Sequence, residues 1–207
     1  MGIHKKKLFL QKKKMSKVCF LVDSIFSIGG VQRITAVIAK ELTRNYSITI
    51  MTFDKAETKD TSLYNLCESP IRYSFINYPQ KKYYKRLLCK LFSGFYVKFQ
   101  PKSKFFSDLY AKSSFPSELR NELILNLKDG MFDVIVGIHA PLAARLATIK
   151  DNFPNTKFIG WIHNSFEALF SESSLYIGQE RKRHYVYQFR KLDDVIMSSR
   201  CRIISRI

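Results

Sequence analysis

An α/β fold built on a doubly wound, mostly parallel sheet is what the sequence predicts, on three observations. Short continuous apolar runs end in polar turns, the pattern of strands buried on both faces. Segments of helical apolar spacing alternate with them. The links are short, so each strand–helix–strand unit needs a crossover, which makes neighbouring strands parallel. In order, residues 17–23 (KVCFLVD) form the first strand, and 24–30 a loop closed by Gly29 and Gly30. Val31, Ile34, Ile38 and Leu42 recur at helical spacing, so a helix runs to about Thr43. Residues 47–53, rich in β-branched side chains, make the second strand, and 71–76 a weaker third. Residues 132–138 (FDVIVGI) are the fourth, followed by a helix from about Pro141 to Lys150. Residues 157–162 make the fifth strand, and a polar helix around 178–191 leads to a sixth at 194–197.

Of the 207 residues, 46% are hydrophobic, which excludes disorder for most of the chain. No linker or internal repeat divides it. Four cysteines, at 19, 67, 89 and 201, form no C-x-x-C pair, so neither a disulfide framework nor a zinc ribbon is expected. No apolar run approaches the ~20 residues of a membrane span, and Leu8-Phe9-Leu10 makes no signal-peptide core. A soluble, cytoplasmic domain is the expectation.

The formal net charge is +18, and two stretches carry fifteen of it. Residues 1–14 hold six lysines and no acid. Residues 1–16 are therefore expected to be a disordered basic extension, and Met15 is itself a natural start. Residues 72–112 hold ten basic residues against one acid, Asp108, and read as a basic aromatic insertion. Within it Tyr84, Leu87, Leu88, Leu91, Phe95 and Phe99 fall on one helical face, with Lys82, Arg86 and Lys90 away from it. Two readings stand side by side. One is a helix packing its aromatics on the sheet. The other is a helix docked on an anionic membrane surface through Lys82, Lys85, Arg86, Lys90, Phe92, Phe95 and Phe99. Nucleic-acid binding is less favoured, because no RRM, KH or helix-turn-helix pattern accompanies the lysines.

The glycine pair entering the first helix lets backbone N–H groups approach an anion, where the helix N-terminus favours negative charge. Ser27-Ile28-Gly29-Gly30 does not fit G-x-G-x-x-G, and no phosphate loop of the G-x-x-x-x-G-K-[ST] type exists. A tight turn explains the pair equally well. His139 and His163 both follow strands, at the carboxyl ends where open α/β sheets bind ligands. For His163 a strand-end histidine with a satisfied structural hydrogen bond is the plain alternative.

Taken together, Lys17-Val-Cys-Phe-Leu-Val-Asp-Ser, Gly29-Gly-Val-Gln-Arg-Ile, Ile38-Ala-Lys-Glu-Leu42 and Ile48-Thr-Ile-Met-Thr-Phe53 carry a resemblance. They resemble the N-terminal half of family-4 retaining glycosyltransferases of the GT-B fold, especially bacterial ones that build surface polysaccharides. Phe132-Asp-Val-Ile-Val-Gly137 and Trp161-Ile-His-Asn-Ser-Phe166 resemble that family's fourth-strand and fifth-strand segments. The resemblance runs from about Lys17 to Ser199. It implies a Rossmann-like acceptor-binding domain, paired in the complete enzyme with a C-terminal domain that binds a nucleotide sugar, UDP-linked, without metal or other cofactor. Gly29 and Gly30 would then lie at the cleft, near the donor diphosphate or the acceptor. His163 would face the reacting sugar as the catalytic candidate, holding a hydroxyl or assisting proton removal. His139 is a weaker cleft candidate, and Asn164 and Glu167 would help shape the acceptor site. The implied partners are a lipid-linked glycan acceptor, the anionic inner face of the membrane and a donor domain, on a separate chain or lost. Glu172 and Glu180 match a family spacing that belongs to the donor half, and are put down to chance. Residues 200–207 depart from the family pattern, so a truncated chain, inactive alone, or a nonfunctional fragment is also expected. No D-x-D occurs, against a metal-dependent GT-A enzyme.

Overall fold

The computed structural model describes residues 15–77, 83–99, 101, 103–170 and 178–197. Six strands form one parallel sheet: β1 (Lys17–Val22), β2 (Ser47–Thr52), β3 (Arg72–Phe75), β4 (Val134–Ile138), β5 (Lys157–Ile162) and β6 (Asp194–Met197). Their spatial order is β3-β2-β1-β4-β5-β6, all neighbours parallel, so the Rossmann-like doubly wound expectation holds. The order reverses between β1 and β4. Open sheets of this kind bind ligands outside the carboxyl ends of the strands, at such a switch point.

The seven helices of the described residues are α1 (Gly30–Leu42), α2 (Tyr83–Phe99), α3 (Lys104–Ser114), α4 (Ser117–Gly130), α5 (Ala140–Ala147), α6 (Phe166–Phe170) and α7 (Gln179–Phe189). The elements predicted from sequence do not include α3 and α4, although Leu119, Leu123 and Leu127 repeat at four-residue steps and are buried. The basic aromatic segment of residues 72–112 divides into β3, α2 and most of α3. Helix α5 ends earlier than its apolar pattern suggests, and a 3-10 turn at Lys150–Asn152 follows it.

Alternation along β1 separates two cores, one per face. Cys19 and Leu21 join α4, α5 and α7 on one face. Val18, Phe20 and Val22 join α1, Ile25, Phe26 and Leu66 on the other. On the first face α5 sits close, because Gly137 and Gly160 lie opposite each other in β4 and β5. A Cβ at Gly137 would come within 3.2 Å of the Ala143 backbone, and one at Gly160 within 3.0 Å of the Ala143 Cβ. The second face is less covered. Between α1 and β6 an apolar groove of about 510 Å³ opens over Val134, Ile159, Trp161 and Ile196.

Helix α2 packs on α3 and α7. Its apolar stripe faces outward: Leu87, Leu88, Leu91, Phe95 and Phe99 are all exposed, and the buried anchor is Tyr96, one step off the stripe. The reading of α2 as a helix packing this stripe on the sheet is therefore corrected. Among the described residues no helix is long and apolar enough to cross a membrane.

Candidate functional site

Three loops meet at the switch point. After β1, Asp23 begins a loop whose Ile25 N–H donates to the Asp54 carboxylate at 2.8 Å, while Thr52 Oγ1 donates to the same oxygen at 2.9 Å. After β4, His139 caps α5 with φ 74° and ψ 153°. That region is essentially reserved for glycine and costs a side-chain-bearing residue about 1–3 kcal/mol. The conformation is held from both sides: the His139 N–H donates to the Trp161 carbonyl at 3.0 Å, and its carbonyl accepts from the Ala143 N–H at 3.0 Å. After β5 come His163 and Asn164, both half-buried. The His139 and His163 rings stand 5.6 Å apart, and His163 lies 4.5 Å from the Trp161 ring.

The electrostatics distinguish the two histidines. Burial, and then the neighbouring His139, push the His163 pKa down to about 4. Burial also lowers His139, but Asp23 opposes the shift. The Asp23 side chain is 55% exposed, and its carboxylate lies 3.9 Å from the Arg145 guanidinium. Both rings are therefore neutral at pH 7. The His163 Nε2 is buried and has no hydrogen-bond partner among the described residues. An imidazole nitrogen left bare at a strand's carboxyl end can accept a hydroxyl or donate to an oxygen, according to tautomer.

The glycine pair divides. Gly29 is the N-cap of α1, and its N–H donates to the Tyr64 hydroxyl at 2.9 Å. That donor is taken, so the expectation of an anion held by both glycines narrows to Gly30 and the first turn of α1. This turn has no side-chain cap and no acidic residue. A Cβ at Gly30 would meet nothing within 4 Å. Tyr64 sits at φ 58°, and its hydroxyl also donates to the Ser27 carbonyl at 2.9 Å, so it clamps the loop.

Of the other predicted residues, Asn164 lies at the crevice beside His163 by chain position. Glu167 falls on α6, and its side chain lies outside the described residues. Lys90, Phe95 and Phe99 are exposed on α2, and Phe92 is half-buried against Phe95 at 6.1 Å. Lys85 and Arg86 belong to α2, with side chains outside the described residues. Lys82, Glu172, residues 1–14 and residues 200–207 also lie outside the described residues. No group of three or more His, Cys, Asp or Glu side chains is placed to hold a metal ion among the described residues. Sequence reasoning missed Asp23, Arg145, Trp161 and Tyr64 as site residues. The rule that located the histidines, a polar residue ending a buried strand, also applies to Asp23.

No protein-family profile matches the chain, and no curated protein matches it in sequence. Its structure does have counterparts. It is similar to a UDP-glycosyltransferase (UGT) from Medicago truncatula complexed with UDP-glucose, at a TM-score of 0.52 and 13% identity, over 89% of this chain and 46% of that one. It is similar to an Arabidopsis thaliana UGT complexed with UDP at 0.50 and 12% identity, over 88% of this chain and 42% of that one. The chain thus spans under half the length of these proteins. The likeness establishes the fold: the Rossmann-like α/β sheet found in these GT-B structures.

Proposed function

We propose that these 207 residues are the acceptor-binding half of a family-4 type, retaining glycosyltransferase that moves a sugar from a UDP-sugar to a lipid-linked glycan in surface-polysaccharide synthesis. The observation that supports the reading is that the uncapped N-terminus of α1 follows the carboxyl end of β1, while two neutral histidines follow β4 and β5 with rings 5.6 Å apart. The positive end of α1 suits a diphosphate, and the histidines suit sugar hydroxyls. The reaction breaks the sugar–phosphate bond and joins the anomeric carbon to an acceptor oxygen. Positioning and the charge on the departing diphosphate lower its barrier. In this reading the donor nucleotide is gripped mainly by a second domain. Residues 82–99 dock the enzyme on the anionic inner face of the membrane, where a lipid-linked acceptor resides. The exposed Leu91, Phe95 and Phe99 beside Lys90 and Lys98 support that role.

The test is titration of UDP-glucose into the chain, followed by NMR, with a parallel transfer assay on a lipid-linked acceptor in vesicles. Weak, saturable shifts at the first turn of α1, His139 and His163 are expected, with no transfer by the chain alone. Shifts located away from the crevice would overturn the reading. Robust turnover by the chain alone would overturn the division of labour between two domains.

A further inference from the structure

The second face of the sheet is half covered, and the topology says why. Helices α5 and α7 link β4 to β5 and β5 to β6, and both lie on the first face. Crossovers of one hand that advance in one direction share a face, so these connections cannot cover the other. Parallel sheets are ordinarily buried on both faces. Here no helix of the described residues lies over the groove at Val134, Ile159, Trp161 and Ile196. Its floor runs from β1 to β6, four strands, or ~14 Å at ~4.8 Å per spacing, which admits one helix of ~10 Å diameter. Along one wall α1 presents an apolar ridge. Ile38 and Leu42 line the groove, and Ile34 and Val37 stand 47% and 58% exposed beside them. The rim is polar and paired: Glu41 meets Arg44 at 2.6 Å on α1, and Lys157 meets Asp194 at 2.5 Å where β5 and β6 begin.

We propose that this face is an interface between two copies of the chain, with the α1 ridge of each seated in the groove of the other. Ridge and groove lie side by side on one surface, so a two-fold axis running between them satisfies both at once and closes the assembly at two copies. An apolar centre within a polar rim is the composition such a contact needs. Charge selects the same face. The excess positive charge of residues 72–112 falls largely on α2 and α3, which stack on α7 beyond the first face. Joining the second faces puts both sheets and both α7 helices between the two basic layers, farther apart than the ~10 Å over which charges stay coupled in salt. The outward stripe of α2 is the competing apolar surface. It lies on the far side, so its seating in a groove would be heterologous and would add copies without closing. The ten residues lining the groove, with the α1 ridge, fall short of the ~20–30 a side of a standard interface, so a weak dimer, micromolar in dissociation constant, is expected. Trp161 lies on the groove floor and its ring also meets His163 at 4.5 Å, so closing the groove dries one side of the candidate site. The contact itself does not depend on the transferase reading.

Trp161 is the only tryptophan of the 207 residues, so its emission reports the groove directly. The test is a dilution series of the full chain through the micromolar range, read by sedimentation velocity and by Trp161 fluorescence with acrylamide quenching. The mass should fall from dimer to monomer, and the emission should move to the red and become quenchable with the same midpoint. Added salt should tighten the dimer, because it screens two net positive chains and leaves an apolar contact intact. Val37→Glu and Ile196→Lys change exposed residues at opposite edges of the groove, so both variants should keep the native urea midpoint. Each should raise the dissociation constant at least about a hundred-fold, because two-fold symmetry counts every substitution twice. A chain that stays monomeric throughout, with a solvent-exposed Trp161, overturns the proposal. So does a Trp161 buried equally at every dilution, which would mean that another part of the same chain fills the groove. Growth beyond two copies, relieved by Leu91→Glu and not by Val37→Glu, would assign the contact to α2 and overturn it as well.

Discussion

His163 and His184 are both pushed down to about 4 by burial, yet their surroundings differ completely. His184, on α7, joins that helix to the α2–α3 layer. Its Nδ1 lies 3.0 Å from Ser107 Oγ, which also accepts from Gln188 Nε2 at 3.2 Å. Gln188 and Lys191 both bond Asp108. Tyr110 and Tyr96, stacked at 4.4 Å, present their edges or faces to the His184 ring at 4.8 and 6.2 Å. His163 has rings around it and an Nε2 with no hydrogen-bond partner among the described residues. The difference teaches that a depressed imidazole pKa reports burial. Spare hydrogen-bonding capacity at the sheet's carboxyl end is what marks the site.

The strongest way to break this comparison is to remove each ring. His184→Ala takes an aromatic out of a packed joint and strips Ser107 of a buried partner, so a loss of roughly 2–4 kcal/mol is expected. His163→Ala should cost less than about 1 kcal/mol, because its Nε2 has no hydrogen-bond partner to strip among the described residues. Urea unfolding measures both, and equal losses would erase the distinction. The pH dependence sharpens it. The folded chain keeps His184 neutral, whereas the unfolded chain protonates it near 6.5, so the unfolded state binds more protons between those values. This stability is present above pH 6.5 and lost as pH falls toward 4, by ~3 kcal/mol for so buried a ring. His184→Gln should flatten that slope, and His163 contributes a smaller, solvent-screened share of the same sign.

The two regions were also unequally legible in the sequence. Strands β1, β4 and β5 are continuous apolar runs, and β5 and β6 keep the bounds that their patterns suggest. His139 and His163 could be found because a strand end is visible in one dimension. Asp23 was equally visible, but its place at the switch point depends on β1 lying beside β4, a pairing more than 110 residues apart in sequence. The engagement of Gly29 by Tyr64 depends on a turn with positive φ at Tyr64 and Asn65, which no spacing rule announces. The α2 stripe could be read but not its direction. An apolar helical face ordinarily points inward, and here the inward contact is Tyr96, through its stack on Tyr110.

That outward stripe offers a further test, which separates the layer from the crevice. The chain should co-sediment with anionic vesicles in preference to neutral ones, and should still do so without residues 1–14. Each lysine near an anionic leaflet contributes ~1 kcal/mol, and exposed Phe95 and Phe99 should hold part of the binding at high salt. Replacing Lys82, Lys85, Arg86 and Lys90 by glutamate should abolish binding while the UDP-glucose response at His139 stays native. Undiminished binding by that variant would rule out α2 as the docking face.

The smallest effect on the fold is expected at Gly30, where the crevice can be probed almost without cost to the scaffold. An added Cβ there meets nothing within 4 Å, and alanine in a helix's first turn loses less backbone freedom on folding than glycine. Gly30→Ala should therefore leave the unfolding free energy unchanged or raise it by up to ~1 kcal/mol. Gly29 is a poorer probe, since a Cβ there would lie 2.2 Å from Gln32 Oε1 and displace a side chain that bonds Ser27. If the open space at Gly30 is where a diphosphate approaches the backbone, the new methyl occupies it, and UDP-glucose binding should weaken several-fold in a protein as stable as the native one. The titrations of His139 and His163 should not move, because neither ring depends on that space. A UDP-glucose response unaltered by Gly30→Ala would take the phosphate away from the start of α1 and leave the crevice to the two histidines.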